Sequence, residues 1–473
     1  MSTSIVIMGG GPAGLAAGYE LAKQGYRVTL LEKDKQVGGI SKTVEKDGYR
    51  FDQGGHRFFT KIDEVEKMWN EVLEEEFLLR PRLSRIFYRG KFFDYPIKPF
   101  NALSGLGFIE AVKIIGSYVK VKIKPIKPEE SFEDWVTNRF GYRLFKHFFK
   151  SYTEKVWGIS TRELKAEWAA QRIQGLNLVT AVTNALFKQF KKNSIKTLIE
   201  EFHYPRLGPG QMYESMARAI ERLGGNVLLN ARVSRVNMQG KRLLSVDYVN
   251  GDGQEKSIAA DYAVSSLPLR DLLNLMQPGL QAQVVEAGNL LKYRDFISIN
   301  LALDKEFLFP DNWIYVHSPE VNLGRIQNFK QWSPAMVPEA GCSSLGLEYF
   351  CNEGDHLWSS PDQDLIRLAV EEISRIGLID EKAVKWGWVV RVAKAYPVYD
   401  DDYQQAMPVI KHYLNSLENL QTIGRNGLHR YNNMDHSILT GLMAAQNIQG
   451  ADHDLWCVNT DEEYHETMEA KPR

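Results

Sequence analysis

Three glycines near the amino terminus are spaced as in a phosphate-binding loop. Gly9, Gly11 and Gly14 form the pattern Gly-x-Gly-x-x-Gly directly after the apolar residues 4–8. In this pattern the first glycine permits a tight turn, the second lets the backbone approach a pyrophosphate, and the third lets a helix pack closely on a strand. Glu32 follows 18 positions after Gly14, where a carboxylate accepts hydrogen bonds from a ribose 2′-hydroxyl. The spacing predicts a dinucleotide site and favours a ribose without a 2′-phosphate.

A strand–helix–strand unit is needed to position these residues. Residues 4–8 and 28–31 are mostly apolar and are predicted to form two strands, and residues 15–24 are compatible with a helix between them. A helix that begins at the glycine loop offers unpaired backbone N–H groups and the positive end of its dipole to the phosphates. Because this full context is present, an ordinary structural glycine turn is the weaker interpretation.

A second set of glycines narrows the choice of dinucleotide. The runs GGISKT at 38–43 and DQGGH at 52–56 resemble the superfamily of FAD-dependent amine oxidases, protoporphyrinogen oxidases, carotenoid desaturases and UDP-galactopyranose mutase. Ile40 stands where many members carry arginine, so one phosphate contact is absent or made elsewhere. The resemblance implies FAD as the cofactor and a valine whose backbone holds the adenine. The cofactor-binding residues that we expect are Gly9, Gly11, Gly14, Glu32, Gly39, Ser41, Gly55, Val233, Gly424, Arg425 and Met434.

Composition and charge are those of a globular enzyme. The 473 residues are 44% hydrophobic and 25% charged, and the formal net charge of −1 argues against nucleic acid as the main partner. The three cysteines match no metal-ligand spacing, which predicts no metal site and indicates a reducing compartment. The first strand leaves no room for a signal peptide, and no apolar run approaches the ~20 residues that span a bilayer. We therefore expect a cytoplasmic protein.

The order of the segments predicts an α/β fold of three interleaved parts. A Rossmann-type FAD-binding domain, glutathione-reductase-2-like, is expected from three stretches: 1–60, 205–294 and 401–473. Residues 61–204 read as a helical domain. Its helical spacing is clearest at 64–76, 105–120, 132–150 and 168–189. Residues 295–400 alternate between strands and turns, which favours an antiparallel-sheet substrate domain that forms the wall of a pocket.

Within the superfamily, the resemblance to UDP-galactopyranose mutase is closest and extends over most of the chain. The runs that carry it are GGH at 54–56, FYRGKFFDYP at 87–96, YTEKVWG at 152–158, GRIQNFK at 324–330, LEY at 347–349, AYPV at 395–398 and GRNGLHRYNNMD at 424–435. The resemblance implies that His56 and Arg325 are catalytic. It also implies that Trp157, Tyr349 and Tyr431 bind the substrate.

The expected substrate site has a physical rationale of its own. A nucleotide diphosphate is strongly anionic, so its pocket needs guanidinium and hydroxyl donors, which Arg325, Tyr349 and Tyr431 supply. Two alternatives stay open: Arg325 pairs with a buried carboxylate, and Tyr349 is part of an apolar core. The chain also departs from the mutases. Asn433 stands where they have a carboxylate, and the run RIQGL at 172–176 lacks their second arginine, so UDP-galactose itself is not the expected substrate.

Two functions remain open at this point. In the first, the protein acts on a nucleotide-activated sugar through flavin N5 chemistry, as a ring-contracting mutase or in a related sugar conversion. In the second, it is an FAD-dependent oxidoreductase that removes hydride from an apolar or amine substrate. The loop at 204–212 is similar to the protoporphyrinogen oxidase and desaturase branch, which favours the second. A non-enzymatic FAD-binding module has no need of a substrate domain. The sequence leaves the oligomeric state open.

Residues 108–127 bear on the second function. They combine apolar residues with five lysines at 113, 120, 122, 124 and 127, a composition similar to a basic amphipathic element that lies on a membrane surface. The simpler interpretation is a core helix with a solvated lysine face, and peripheral membrane contact is the alternative.

Overall fold

The computed structural model describes residues 3–95, 97, 99–166, 197–198, 201–459 and 467–468. The helix predicted at 168–189 and the run at 172–176 lie outside these residues. Among the residues described, no helix is both long and apolar enough to cross a membrane.

The described residues form 22 strands and 16 α-helices. The strands are β1 (Ser4–Met8), β2 (Arg27–Leu31), β3 (Thr43–Lys46), β4 (Tyr49–Asp52), β5 (Phe77–Pro81), β6 (Ser84–Tyr88), β7 (Lys91–Asp94), β8 (Thr197–Leu198), β9 (Glu201–Pro205), β10 (Asn226–Leu228), β11 (Arg232–Gln239), β12 (Arg242–Val249), β13 (Glu255–Ala259), β14 (Tyr262–Ser265), β15 (Met276–Gln277), β16 (Tyr293–Leu303), β17 (Trp313–Val316), β18 (Arg325–Asn328), β19 (Ser343–Cys351), β20 (Val384–Pro397), β21 (Leu420–Thr422) and β22 (Thr467–Met468). The α-helices are α1 (Pro12–Lys23), α2 (Asp63–Leu73), α3 (Pro99–Leu106), α4 (Phe108–Ile123), α5 (Phe132–Phe140), α6 (Tyr142–Phe145), α7 (Ser151–Trp157), α8 (Gly210–Arg222), α9 (Leu269–Leu275), α10 (Ala282–Leu290), α11 (Phe329–Trp332), α12 (His356–Ser359), α13 (Asp362–Arg375), α14 (Asp401–Leu414), α15 (Gly424–Gly427) and α16 (Met434–Ile448).

A five-stranded parallel sheet positions the glycine loop. Its strand order is β10-β2-β1-β14-β21, with β1 at the centre. All five residues of β1 are buried, because alternate side chains enter the hydrophobic cores on the two faces of the sheet. Helix α1 packs on α16, where a Cβ added to Gly441 would lie 2.3 Å from the carbonyl oxygen of Ala13. The predicted α/β fold class is confirmed.

A seven-stranded sheet forms the second layer of structure. Its order is β20-β16-β19-β18-β17-β6-β7, and the neighbours are antiparallel except β17 and β6. One face packs on α13, and the other faces an aromatic cluster. Strands β6 and β7 come from the segment predicted as a helical domain at 61–204. That segment therefore also supplies the edge of the substrate sheet, because β6 pairs with β17, with Ile86 opposite Tyr315, and β7 pairs with β6 across a short hairpin.

The helical part differs from the prediction of one helix over 132–150. Helix α5 ends at Phe140, and α6 starts after Gly141, whose φ is +81°. A Cβ at Gly141 would lie 2.8 Å from the backbone nitrogen of Tyr118, so glycine allows α4 to approach closely at this break. A π-helical turn at Lys146–Lys150 and α7 continue the chain toward the sheet.

Candidate active site

One large cavity runs between the parallel sheet, the seven-stranded sheet and the helical part. Its volume is about 1160 Å³, more than the ~300–1,000 Å³ of most small-molecule sites, which suits a dinucleotide together with a substrate. Most of the site residues predicted from the sequence line it: Gly9, Gly11, Glu32, Gly39, Ser41, Gly55, His56, Trp157, Val233, Arg325, Gly424, Arg425, Tyr431 and Met434. Gly14 and Tyr349 are outside its wall in the part of the chain that the structure describes.

The glycine loop occupies one end of the cavity. Gly9 has a φ of +104°, and a Cβ added to Gly14 would lie 2.0 Å from the carbonyl oxygen of Gly9. Gly14 is therefore required for the packing of α1 on the loop. The protein's own atoms do not require a glycine at position 11. The φ of Gly11 is −79°. Apart from its neighbours in the chain, only the Cα of Gly39, at 3.9 Å, lies within 4 Å of a Cβ added there, among the described atoms. The fold itself leaves room for a side chain at Gly11, so the space belongs to a ligand.

The amino terminus of α1 opens onto this space. Gly11 is the N-cap, provides no capping side chain, and is followed by Pro12 at the first helical position. The free backbone N–H groups of the first turn and the helix dipole are therefore directed at an anion in the cavity. These features fit a pyrophosphate.

Glu32 lies beside the loop at the end of β2. Its carboxylate accepts hydrogen bonds from the backbone N–H groups of Gly10 (2.7 Å) and Asp34 (2.9 Å). Burial raises the pKa of Glu32, while these two bonds oppose the rise. The backbone fixes the carboxylate at the cavity wall, and each oxygen keeps a lone pair that could accept a ribose hydroxyl. Val233 lines the same end of the cavity.

Residues from distant parts of the chain complete the dinucleotide end. Gly39 has a φ of +55° and faces Gly11, since a Cβ there would lie 3.2 Å from the Cα of Gly11. Gly424 has a φ of +77°, and Met434 is the first residue of α16. Arg425 donates to the carbonyl oxygens of Asn432 and Ala395, both at 2.9 Å. The arginine thereby connects the loop before α16 to the end of β20.

Arg325 lies in the cavity wall and is paired with a buried carboxylate. Its Nε donates to Oε2 of Glu348 at 2.9 Å, and its Nη2 donates to the same oxygen. Gln327 donates to the other oxygen at 2.9 Å. Arg325 and Glu348 are directly opposite each other on β18 and β19. Arg325 therefore does pair with a buried carboxylate, as one alternative stated. Its guanidinium nevertheless reaches the cavity.

An aromatic cluster surrounds this guanidinium. Nη2 of Arg325 lies 3.4 Å from the hydroxyl of Tyr396, whose ring stacks on Tyr431 with centroids 5.6 Å apart. The ring of Trp157 lies 6.2 Å from that of Tyr396, and the guanidinium of Arg425 lies 4.5 Å from the Tyr431 centroid. Tyr396 was not among the predicted site residues, although the AYPV run contains it. The cluster presents two cations, hydroxyl groups and aromatic faces together.

The predicted substrate role of Tyr349 is wrong. Its ring is fully buried in the core between the seven-stranded sheet and α13. Side chains alternate between the two faces of a strand. On β19 Phe350 lines the cavity, and Glu348, on the same face, pairs with Arg325 of the cavity wall. Tyr349 therefore points away from the cavity, as the core alternative stated.

His56 lines the same cavity as the two arginines and is held neutral. Burial, with the charges of Arg425 and Arg325, lowers the pKa of His56 to about 3. Its Nδ1 lies 3.2 Å from the carbonyl oxygen of Gly54. A carbonyl only accepts, so Nδ1 carries the proton and Nε2 is left as an acceptor. His56 can therefore accept a proton or a hydrogen bond at Nε2, but it does not enter a reaction as a cation.

A second histidine of the wall, His317, stacks on Tyr152 with centroids 4.5 Å apart. Next to it, the Lys155 ammonium donates to three carbonyl oxygens, those of Ser318 (2.7 Å), Leu323 (3.1 Å) and Val316 (3.2 Å). Burial, together with the Lys155 charge, lowers the pKa of His317 to about 3. These contacts join α7 to the seven-stranded sheet around a neutral imidazole.

This arrangement predicts an acid-sensitive fold. An unfolded histidine binds a proton near pH 6.5, but buried His317 does not, so the free energy of unfolding falls as the pH drops from about 6.5 toward 3. Between pH 6.5 and 5, His317→Asn is expected to lose about 1.5 kcal/mol less of its free energy of unfolding than the wild type does. Chemical denaturation at each pH measures the difference. His356→Asn provides the control, since His356 is exposed and substitutions at exposed positions change the free energy of unfolding little. If the free energy of unfolding of His317→Asn depends on pH as that of the wild type does, His317 is not the neutral, buried group described above.

Comparisons with known proteins agree with this geometry. The sequence profile described as flavin containing amine oxidoreductase matches residues 12–449. The L-amino-acid oxidase BjussuLAAO-I of Bothrops jararacussu is 25% identical over 320 residues, which cover 64% of this chain and 60% of the oxidase. The chain thus spans about 60% of the length of this curated relative.

Solved structures show the same fold. The structure of reduced UDP-galactopyranose mutase superposes with a TM-score of 0.82 at 21% identity, over 96% of this chain and 97% of the mutase. A protoporphyrinogen oxidase-like protein from Exiguobacterium sp. 255-15 gives a TM-score of 0.70 at 14% identity, over 95% and 99%. The glycine loop, the fixed Glu32 carboxylate and the open space at Gly11 fit FAD. The chain therefore belongs to the flavin containing amine oxidoreductase family and is an FAD-dependent enzyme.

Proposed function

We propose that this flavoenzyme acts on a nucleotide-activated sugar through flavin N5 chemistry, as a ring-contracting mutase or in a related sugar conversion. The observation that carries the proposal is the wall formed by Arg325, Arg425, Tyr396, Tyr431 and Trp157. Its guanidinium and hydroxyl groups match the oxygens of a diphosphate, and its rings offer stacking surfaces to a base. The similarity of the fold to that of UDP-galactopyranose mutase supports this substrate class.

Electrostatics favour an anionic substrate at this wall. Arg325 and Arg425 are cations, His56 is neutral, and the carboxylate that faces Arg325 is Glu348. The sum of these side chains is one positive charge. A cationic amine would meet repulsion there, whereas a diphosphate would be attracted in a site of low dielectric constant. When bound, FAD supplies the nucleophilic or redox centre. The protein's own residues orient the substrate and stabilise the leaving diphosphate.

The test is an anaerobic incubation. FAD-loaded protein, reduced with dithionite, is mixed with a panel of UDP-, GDP- and dTDP-sugars, and the products are separated by chromatography and weighed by mass spectrometry. We expect a new product of unchanged mass that forms only with reduced flavin. A product lighter by two hydrogens, formed only with oxidised flavin, would assign the oxidoreductase function instead. If no sugar in the panel reacts and no nucleoside diphosphate binds, the proposal fails.

A matched pair of variants shows whether the wall binds the diphosphate. Tyr396→Phe removes the hydroxyl next to Arg325, and we expect the Kd of a nucleoside diphosphate to rise about tenfold, since hydrogen bonds to charged groups contribute ~1.5–3 kcal/mol. Tyr349→Phe removes the same atom on the opposite face of the sheet and should leave Kd unchanged. Equal effects of the two changes in calorimetric titrations would remove the support that Tyr396 gives to the proposal.

The second candidate is an FAD-dependent oxidoreductase that removes hydride from an amine or apolar substrate. The similarity to L-amino-acid oxidases and the many aromatic side chains of the cavity wall, among them Phe132, Phe148 and Phe149, favour it. Its signature is bleaching of the oxidised flavin by amino acids or amines without oxygen. Such bleaching, with no response to nucleotide sugars, would replace the first proposal by the second.

A further inference from the structure

Helix α4 exposes an unusual amount of apolar surface. Of the fourteen large hydrophobic side chains that are exposed in the described part of the chain, six lie on this one helix. The exposed fractions are highest at its two ends, with 84% at Phe108 and 79% at Ile123. The other four are Ile109, Val112, Ile115 and Val119. Contiguous apolar surface of this kind marks an interaction site, whereas isolated exposed side chains do not.

The apolar residues form one stripe. At about 100° per residue, the five side chains from Phe108 to Ile123 at positions 108, 112, 115, 119 and 123 project within an arc of about 80°. Lys113 and Lys120 lie beyond one border of the stripe, next to Ile109, and Lys122 lies beyond the other. All three lysines are exposed, as is Lys124 at the end of the helix. We call this stripe and its lysines the α4 surface.

The opposite face of α4 already has its packing partners. Ile114 and Val121 are buried. Glu110 accepts hydrogen bonds from Arg143 Nη2 and His147 Nε2, both at 2.9 Å. The interpretation of α4 as a core helix with a solvated lysine face is therefore incomplete, because the exposed side of the helix also carries an apolar stripe. The α4 surface is additional to the packing that holds the helix in place.

We propose that the α4 surface binds the face of a membrane that contains anionic lipids. An apolar stripe bordered by lysines is the arrangement of helices that lie in a lipid interface, where side chains enter the acyl region and lysines contact the headgroups. Residues 108–127 carry five lysines and one acidic residue, Glu110. With 16 residues, α4 is about 24 Å long and lies on such a surface rather than spanning it.

The charges also decide between a membrane and a second copy of this chain. In a two-fold symmetric dimer the same patch faces itself. Lys113, Lys120 and Lys122 of one copy would then lie near the lysines of the other, in a contact that excludes water. An anionic lipid surface instead provides the opposite charge to every lysine at once.

The test is co-sedimentation of the FAD-loaded, full-length protein with vesicles. Phosphatidylcholine vesicles with about one third phosphatidylglycerol should bind the protein, and pure phosphatidylcholine should bind it more weakly, by about fivefold for each lysine that contacts the surface. The double variant Phe108→Gln/Ile123→Gln is expected to lower the partition coefficient by at least about 100-fold, because it removes two apolar side chains that would be buried in the acyl region. Lys120→Gln/Lys124→Gln should lower the preference for anionic vesicles about 25-fold, fivefold for each lysine removed.

A matched control is Leu244→Gln/Phe307→Gln, which removes two other exposed hydrophobic side chains (45% and 55%). It should bind vesicles as the wild type does. The proposal is overturned if anionic vesicles at low salt do not sediment the protein, or if the α4 and control variants bind alike. It is also overturned if the protein does not bind vesicles and light scattering shows a dimer that the control variant keeps and the α4 variant loses. A second copy of the chain would then be the partner of the α4 surface. Flavin content of each variant is measured in parallel and shows that the site is intact.

Discussion

Gly11→Val is expected to give a folded protein that does not retain FAD. The φ of Gly11, −79°, suits any residue. Apart from its neighbours in the chain, only the Cα of Gly39 lies within 4 Å of the added Cβ, among the described atoms. The fold therefore accepts a side chain at this position, but the pyrophosphate expected at the amino terminus of α1 does not. Overpacking of this kind costs up to ~3 kcal/mol, so we expect the Kd of FAD to rise about 100-fold.

Flavin absorbance per protein after gel filtration measures the loss, and thermal unfolding of the apoprotein measures the fold. Gly341→Val is the control, because no described atom apart from its neighbours in the chain lies within 4 Å of its Cβ and the residue is exposed. Gly14→Val is the contrasting case. Its Cβ would meet the carbonyl oxygen of Gly9 at 2.0 Å, so this variant should lose the fold along with the cofactor. Full FAD occupancy in Gly11→Val would mean that the loop does not approach the pyrophosphate.

The dinucleotide end of the site was predictable because its determinants are local. Gly9, Gly11, Gly14 and Glu32 lie within one strand–helix–strand unit, and the chemistry of a tight turn and a helix terminus acts over a few residues. Even there, only the structure shows that glycine is needed at positions 11 and 14 for different reasons. The sequence pattern does not say which glycine is kept free of the protein's own atoms and which is required by them.

The substrate end was predicted less well because it depends on which face of each strand meets the cavity. All nine residues of β19 are buried, so no alternation of polar and apolar residues shows that Glu348 faces the site and Tyr349 does not. The pairing of Arg325 with Glu348 depends on the register between β18 and β19, which the sequence does not state. On α4, the amphipathic pattern was visible, but it did not reveal that the outward side is apolar.

Glu348→Gln is expected to destabilise the protein by about 3–5 kcal/mol, because it leaves the charge of Arg325 in the wall without its carboxylate. The Glu348 side chain is fully buried and that of Arg325 is 17% exposed. Urea unfolding of the wild type and the variant measures the difference. As a control, Asp364→Asn breaks an exposed pair with Arg367 and should leave the free energy of unfolding nearly unchanged. If Glu348→Gln changed the free energy of unfolding as little as the control does, the pair of Arg325 and Glu348 would be accessible to water.

The same variant separates the two candidate functions. Without the Glu348 charge, Arg325 lacks its internal counter-ion, and a diphosphate in the cavity would take that role. Under the nucleotide-sugar proposal, UDP or GDP at a fixed concentration should therefore raise the unfolding temperature of Glu348→Gln more than that of the wild type, since a ligand that binds the folded state more tightly stabilises the protein more. Inorganic sulfate at equal ionic strength is the control for screening alone. If nucleoside diphosphates protect neither protein, Arg325 serves the sheet rather than the substrate, and the hydride-removing function becomes the better account of the cavity.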